Sequence, residues 1–303
     1  MGEATGFGAD RLTWRLIDLH SHTDASDGTD TPHELIDRAR AAGLRALAIT
    51  DHDTLFGYEQ ALPYAESLGF DLVCGIELST KFHGKTVHLL AYFPNSAPTV
   101  EFGEWLRGQQ AYRRDRNIRL IAKLNEVGVA ISLGEVEAIG RTMTGRPHFA
   151  RVLVNKGYVG TTQEAFDSFL AEDGRAFVQR EEVAVAEALN RVAAGGGISV
   201  LAHPIRLGKR KVSEEEALIV EAMGLGLVGI EVIHSDHSTV DVERYRGYAE
   251  KYGLLETGGS DHHGGNKPDI ALGEGRRGNV RVPDEFLERL RGYRGESAVE
   301  GGG

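Results

Sequence analysis

Short apolar runs alternate with stretches of helical period through the first and last thirds of the chain. The runs at 16–19, 46–50, 72–76, 87–92, 198–202, 228–233 and 254–257 read as strands, each bounded by turn residues. The helix after the first run is well signalled. Thr31 suits the N-cap, Pro32 the first helical position, Glu34 completes a capping box, and Gly43 follows the last turn. Further helices are expected over about 58–68, 214–223, 240–251 and 284–293. Alternation of this kind argues for an α/β fold with a parallel sheet and helices outside it.

Between 93 and 184 the strand signal vanishes. Helical stretches at 102–127, 133–139, 148–156 and 162–170 replace it, punctuated by Gly128, Gly145, Gly157 and Gly174. The expected organisation is a discontinuous barrel over 14–93 and 185–294, a helical insertion over 94–184 capping one end, and a frayed glycine-rich tail over 295–303.

Composition narrows the partners. A chain of 303 residues can bury a sizeable core. Its formal charge of -11 argues against a broad basic surface for long duplex nucleic acid, though not against a small basic pocket. The single cysteine, Cys74, lies in an apolar run, allows no internal disulfide and is expected as a buried thiol. No apolar run reaches membrane length, and the first residues lack a signal-peptide core. A soluble cytoplasmic protein without a membrane partner is expected.

The chemistry gathers at strand ends. After the first run stand His20, His22 and Asp27, and residues two apart on a strand share a face. Asp51, His52 and Asp53 follow the second run, Glu77 the third, and the fourth carries His88. The fifth ends at His203, and the last at Asp261, His262 and His263. Taken singly, His52 suits a helix entry, Asp51 or Asp53 an N-cap, His88 a core position and His203 a turn. Jointly they fit better at one face of a barrel, where strand ends converge. His20, His22, Asp27, His52, Glu77, His88, His203, Asp261 and His263 exceed what one four-coordinate zinc needs and suit two or three divalent ions. Mn, Fe and Zn fit the mixed nitrogen and oxygen ligands about equally. His33, His83 and His237 are expected at the surface, and His262 is expected to point away from the cluster.

The stretches Asp18-Leu19-His20-Ser21-His22, Asp27-Gly28, Thr50-Asp51-His52-Asp53, Gly75-Ile76-Glu77, Ala202-His203-Pro204 and Ser260-Asp261 with His263 resemble the signature of the PHP (polymerase and histidinol phosphatase) superfamily. The turn Thr144-Gly145-Arg146-Pro147-His148 further resembles its stand-alone bacterial members of the 3′,5′-nucleoside bisphosphate phosphatase and 5′-3′ exoribonuclease type. The resemblance implies a distorted seven-stranded, TIM-like β/α barrel with a trinuclear metal site. It implies one ion on His20, His22, Glu77 and Asp261, a second on Glu77, His88 and His203, and a third on Asp27, His52 and His263. Glu77, His203 and Asp261 then carry the catalytic role, and Asp51 and Asp53 orient His52 or a neighbouring ligand.

Such a cluster suits phosphate ester hydrolysis by a metal-bridging hydroxide, with no side-chain nucleophile. Arg146 and Arg206 are candidate phosphate clamps, with Lys209 or Arg210 assisting, and His148 and His234 candidate proton donors or phosphate ligands. Arg113, Arg114, Arg116 and Arg119 suit a solvated helix face. The expected substrate is a nucleoside monophosphate, a 3′,5′-bisphosphate or a short oligonucleotide trimmed from its 5′ end. Histidinol phosphate hydrolysis and a non-catalytic nucleotide- or metal-binding barrel are the alternatives. A metal-dependent amidohydrolase fits less well, because no lysine sits at a strand end to bridge two ions.

Overall fold

Largely buried strands, the main ones three to twelve residues long, build the sheet of this computed structural model. It describes residues 16–140, 144–179, 182–208 and 211–294. The main strands are β1 (Leu16–Asp18), β2 (Ala46–Ile49), β3 (Asp71–Phe82), β4 (Lys85–Phe93), β6 (Ile198–Leu201), β7 (Gly229–His234) and β8 (Leu255–Gly259). Two-residue strands β5 (Val183–Ala184) and β11 (Val282–Pro283) join the sheet, and β9 (Ile270–Ala271) pairs with β10 (Gly275–Arg276) outside it. The order β11-β1-β2-β3-β4-β6-β7-β8 is that of a nearly closed barrel. Beyond β1 and β8 the chain completes the ring. Leu19 N donates to Gly258 O at 3.1 Å, Asp261 N to His20 O at 2.8 Å, and His22 N to His262 O at 2.9 Å.

The two-residue β11 pairs antiparallel with β1, and among the main strands the sheet departs from the all-parallel expectation at one. β4 runs antiparallel to both β3 and β6. The cause is local: β3 continues past Glu77 to Phe82, and His83 (φ 47°) and Gly84 (φ 75°) turn the chain straight into β4. Glu77 therefore stands within its strand rather than at its end. Periodicity reports burial but not strand direction, so the reversal left no trace in the apolar pattern.

Helices α1 (Pro32–Ala41), α2 (Phe56–Ser67), α7 (Val185–Ala194), α8 (Val212–Gly224), α9 (Thr239–Tyr252) and α10 (Glu285–Gly292) accompany the barrel strands. α1 begins with the expected capping box between Thr31 and Glu34. The intervening segment holds α3 (Val100–Glu126), α4 (Leu133–Gly140), α5 (Arg146–Asn155), α6 (Thr162–Ala165) and a π-helical turn at Phe166–Leu170. α3 spans about 40 Å at 1.5 Å per residue, and its two ends are buried in different places. Phe102 and Leu106 join the barrel core, whereas Leu120 and Leu124 join a separate apolar cluster with Val136, Phe149, Leu153 and Phe169. Its middle carries Gln110, Arg113, Arg116 and Asn117, and it is this polar stretch that meets the barrel's strand ends. No helix among the described residues is long and apolar enough to cross a membrane.

Closure brings β8 against the residue that follows β1. A Cβ on Gly259 would stand 2.4 Å from both His20 Cβ and His20 N, so only glycine fits this approach. Gly259→Ala is expected to lower unfolding free energy by about 1–3 kcal/mol, the usual cost of overpacking. Urea denaturation measures it, and an unchanged midpoint would mean that the two strand ends separate freely.

Candidate metal centre

Each strand delivers its polar residues to one end of the barrel, by two routes. His20, His22, His52, His203, Asp261 and His263 lie just past the C-terminal ends of parallel strands. His88 lies near the start of antiparallel β4, and the reversal brings that start to the same end, opposite Ser79 of β3. Three of the non-glycine residues with positive φ stand here: Asp53 (52°), His203 (25°) and Asp261 (58°). Such strain persists where surrounding contacts over-determine the backbone.

Glu77 is the hub, 1% exposed. Its Oε1 lies 2.8 Å from His88 Nδ1 and 2.9 Å from His203 Nε2. Its Oε2 lies 3.2 Å from His20 Nε2, 3.2 Å from His22 Nε2 and 3.3 Å from His52 Nδ1. Asp261 Oδ1 approaches His22 Nε2 at 3.4 Å and His20 Nε2 at 3.6 Å. Asp27 is 3.2 Å from His263 and 3.8 Å from both His22 and His52. Four overlapping groups have ligand atoms within 4.8 Å of one another: His20, His22, Glu77 and Asp261; His22, Asp27, His52 and His263; His52, Glu77 and His88; and His20, Glu231 and His234.

The donor set fits divalent cations. Both ring nitrogens of His22, and Nδ1 of His52, are buried without a hydrogen-bond partner although carboxylate oxygens surround them. Buried polar atoms are ordinarily satisfied, and a cation between these groups would satisfy them. The carboxylates are held ionised. Burial pushes the Glu77 carboxyl up, but the imidazoles of His52, His88 and His20 outweigh this and hold it well below the ordinary range. Asp27 and Asp261 are likewise held low against their burial, the first by His263 and His52, the second by His20 and His22. Burial drives His203 down to about 3 against the pull of Glu77, leaving it a neutral donor at pH 7.

The other expected residues fall into separate places. Arg146 and His148 line a cavity of about 270 Å³ together with Asp27, His52 and His88. Gly145 N donates to His148 Nδ1 at 2.9 Å, which leaves the ring proton on Nε2. Arg206 borders a different recess beside His88 and His203, and its guanidinium lies 2.6 Å from Asp236 and 2.9 Å from Asp261. His234 is 1% exposed and directs Nε2 at Asp261, 3.3 Å away. Lys209 and Arg210 lie outside the described residues. Asp51 binds the loop rather than His52: it accepts from Thr23 N (2.7 Å), Thr23 Oγ1 (2.6 Å) and Ser26 Oγ (2.6 Å), fixing the span between His22 and Asp27. Asp53 accepts from Ser79 N at 2.7 Å and pairs with Arg113.

Several residues here escaped the sequence. Arg113 and Arg116 line the Arg146 cavity instead of a solvated face, and Arg116 is 4% exposed. Helical spacing alone does not say that a barrel mouth lies opposite that face. His237 is buried, not superficial, and its Nδ1 lies 2.9 Å from Val232 O. Lys267 Nζ reaches Asp261 Oδ2 at 2.8 Å. Glu231 sits on β7, fully buried, 2.8 Å from His20 Nδ1, and accepts from His203 N at 2.6 Å. A carboxylate inside the run Ile230-Glu231-Val232-Ile233 was the available signal. His262 does turn away, toward Asp30 and Ile270 O.

Comparison with known proteins places this arrangement. The family model described as the PHP domain matches residues 18–158. A 5′-3′ exoribonuclease of Haemophilus influenzae is 32% identical over 250 residues, covering 82% of this chain and 90% of that protein. A 3′,5′-nucleoside bisphosphate phosphatase of Chromobacterium violaceum is 33% identical over 269 residues, covering 86% and 89%. The solved structure of a proposed metal-dependent phosphoesterase from Bifidobacterium adolescentis superposes with a TM-score of 0.76 at 31% identity, covering 90% of this chain and 94% of the other.

Glu231 grips His20 on the side away from Glu77, as partners of metal-binding histidines commonly do. Glu231→Gln is therefore expected to weaken Mn or Zn uptake about 10- to 100-fold while the protein stays folded. Chelator competition measures it. Uptake equal to wild type would mean that His20 is positioned without Glu231.

Proposed function

We propose that this chain, which belongs to the PHP family of metal-dependent phosphoester hydrolases, cleaves small nucleotides that carry two phosphates, or short 5′-phosphorylated RNA. One observation carries the reading. A single cavity has the metal-type cluster, represented by Asp27, His52 and His88, on its barrel side and Arg113, Arg116, Arg146 and His148 on the other. Such a cavity suits a ligand with two anionic groups, one for each wall. The exoribonuclease and the bisphosphate phosphatase named above both act on molecules of that kind, which favours this class over histidinol phosphate.

Two or three divalent ions held by His20, His22, Asp27, His52, Glu77, His88, His203, Asp261 and His263 would neutralise the reacting phosphate and lower the pKa of attacking water. The protein's own groups do the rest. Glu77 is shared between neighbouring groups of ligands and keeps them together. The guanidinium of Arg146 is steadied by a bond to Val178 O at 3.1 Å and by the Phe177 ring, whose centroid lies 5.1 Å away. It would bind the second phosphate as a charge-assisted donor. His148 would add its Nε2 proton to the same anion. A covalent intermediate finds little support here: burial pushes the Cys74 thiol up to about 12, and the Ser26 hydroxyl is bound to Asp51.

Release of phosphate from AMP, adenosine 3′,5′-bisphosphate and histidinol phosphate, and of 5′-mononucleotide from a 5′-phosphorylated trinucleotide, tests the class. Chelator-sensitive turnover of the bisphosphate and the trinucleotide is expected, whereas selective turnover of histidinol phosphate would overturn the proposal. Glu77→Ala should lose bound metal and collapse turnover by several orders of magnitude, and a variant keeping both would refute the shared-ligand arrangement. Arg146→Ala should cost about 10- to 100-fold in kcat/KM on the bisphosphate, the worth of a hydrogen bond to a charged group, and much less on AMP. Equal losses on both would place Arg146 away from the second phosphate.

A further inference from the structure

Alongside the metal cavity runs a second groove, between α3 and the strands β3 and β5. Ser79, Arg113 and Arg116 line both, so the groove opens from the wall of the reaction site. Trp105, Gln109, Tyr112, Arg116 and Arg119 also line it, at steps of four, three, four and three residues that keep them on one helix face. Its floor is apolar, with Leu78, Leu106 and Val183. Tyr112 is 64% exposed, which core packing does not explain. Trp105, partly buried against the barrel core, is fixed by donation of Nε1 to Glu187 at 3.1 Å and by the tilted Phe102 ring 5.4 Å away. Of the acidic residues of the groove, Asp53 pairs with Arg113 inside it, and Glu182 accepts from Thr86 Oγ1 at 2.9 Å.

Aromatic faces between guanidinium groups are what a single strand of nucleic acid requires. Bases stack on the rings, and cations follow the phosphates without reading sequence. We propose that this groove binds the nucleotides adjoining the reacting phosphate of a single-stranded oligonucleotide. The proposal rests on the nucleotide-hydrolase reading above and gives its short-RNA substrate a binding surface beyond the metal cavity. Between Trp105 and Arg119 the helix face is about 21 Å long, enough for a short strand. The net charge of -11 leaves the rest of the surface unsuited to a long one.

Two measurements test it. The first compares kcat/KM on a 5′-phosphorylated tetranucleotide and on adenosine 3′,5′-bisphosphate for wild type, Tyr112→Ala and Arg119→Ala. Stacking is worth about 1–3 kcal/mol per base, so Tyr112→Ala should lose roughly 5- to 100-fold on the tetranucleotide and stay within about twofold on the bisphosphate. Equal losses on the two substrates, or none on either, would overturn the groove. The second removes turnover from the question. The chain has two tryptophans, Trp14 and Trp105, so Trp14→Phe leaves Trp105 as the reporter. In chelator, the tetranucleotide should quench its fluorescence and the bisphosphate should not. Quenching without any turnover by wild type would sink the hydrolase reading and keep the groove. Turnover without quenching, and with Tyr112→Ala unaffected, would do the reverse.

Discussion

An ionised carboxylate almost wholly removed from water is the constraint on which this protein is organised. Glu77 has imidazole nitrogens of His20, His22, His52, His88 and His203 within 3.3 Å. An unpaired charge at such depth is strongly unfavourable, so the histidines and the carboxylate are mutually necessary. They arrive from β4 and from beyond β1, β2 and β6, and only a sheet rolled nearly shut brings these four places together. Around this ring a further set holds the ligands in turn. Asp18 accepts from His20 N, from Ser260 N and Oγ and from Gly273 N, tying the ends of β1 and β8. Glu231 and Asp51 do the same for His20 with His203 and for the His22 to Asp27 loop.

The long helix α3 joins this centre to the inserted helices. With one end in the barrel core and the other in the second apolar cluster, it cannot swing without breaking one of them. Its polar middle is therefore held over the strand ends by apolar packing at both extremities. Further ties come from Gln110 Nε2 to Asp53 O at 3.0 Å and from Asn117 Nδ2 to Thr144 O at 2.9 Å. Arginines that would be floppy on an open surface become fixed donors in this setting, with less rotamer entropy left to lose when an anion arrives.

Much of the fold was legible because burial leaves a periodic record. The apolar runs marked all seven long strands, and the Thr31 to Glu34 capping box placed the start of α1. α7 lies outside the helices expected from the sequence, although Val185, Ala188, Leu189 and Val192 form its buried stripe. The direction of β4 left no such record, nor did the tertiary surroundings of single residues. Arg116 and His237 carry polar side chains that are usually exposed, and only the packed chain shows them buried. The metal-type residues were readable as a set because several strand ends repeated the same chemistry. Which atoms approach which was not readable, since it depends on three-dimensional closure. Of the basic wall of the cavity only Arg146 and His148 were legible, where a glycine and a proline mark a turn.

The reversed strand also bears on how the chain finds its shape. β3 and β4 are joined by a two-residue turn, whereas every parallel neighbour in the ring is reached through a crossover of many residues. Loop-closure entropy grows with the length closed, so this hairpin is the long pairing with the least entropy to lose. It contains both Glu77 and His88. The pair at the heart of the site, Glu77 Oε1 and His88 Nδ1 at 2.8 Å, is thus held within the long pairing that costs the least chain entropy to close.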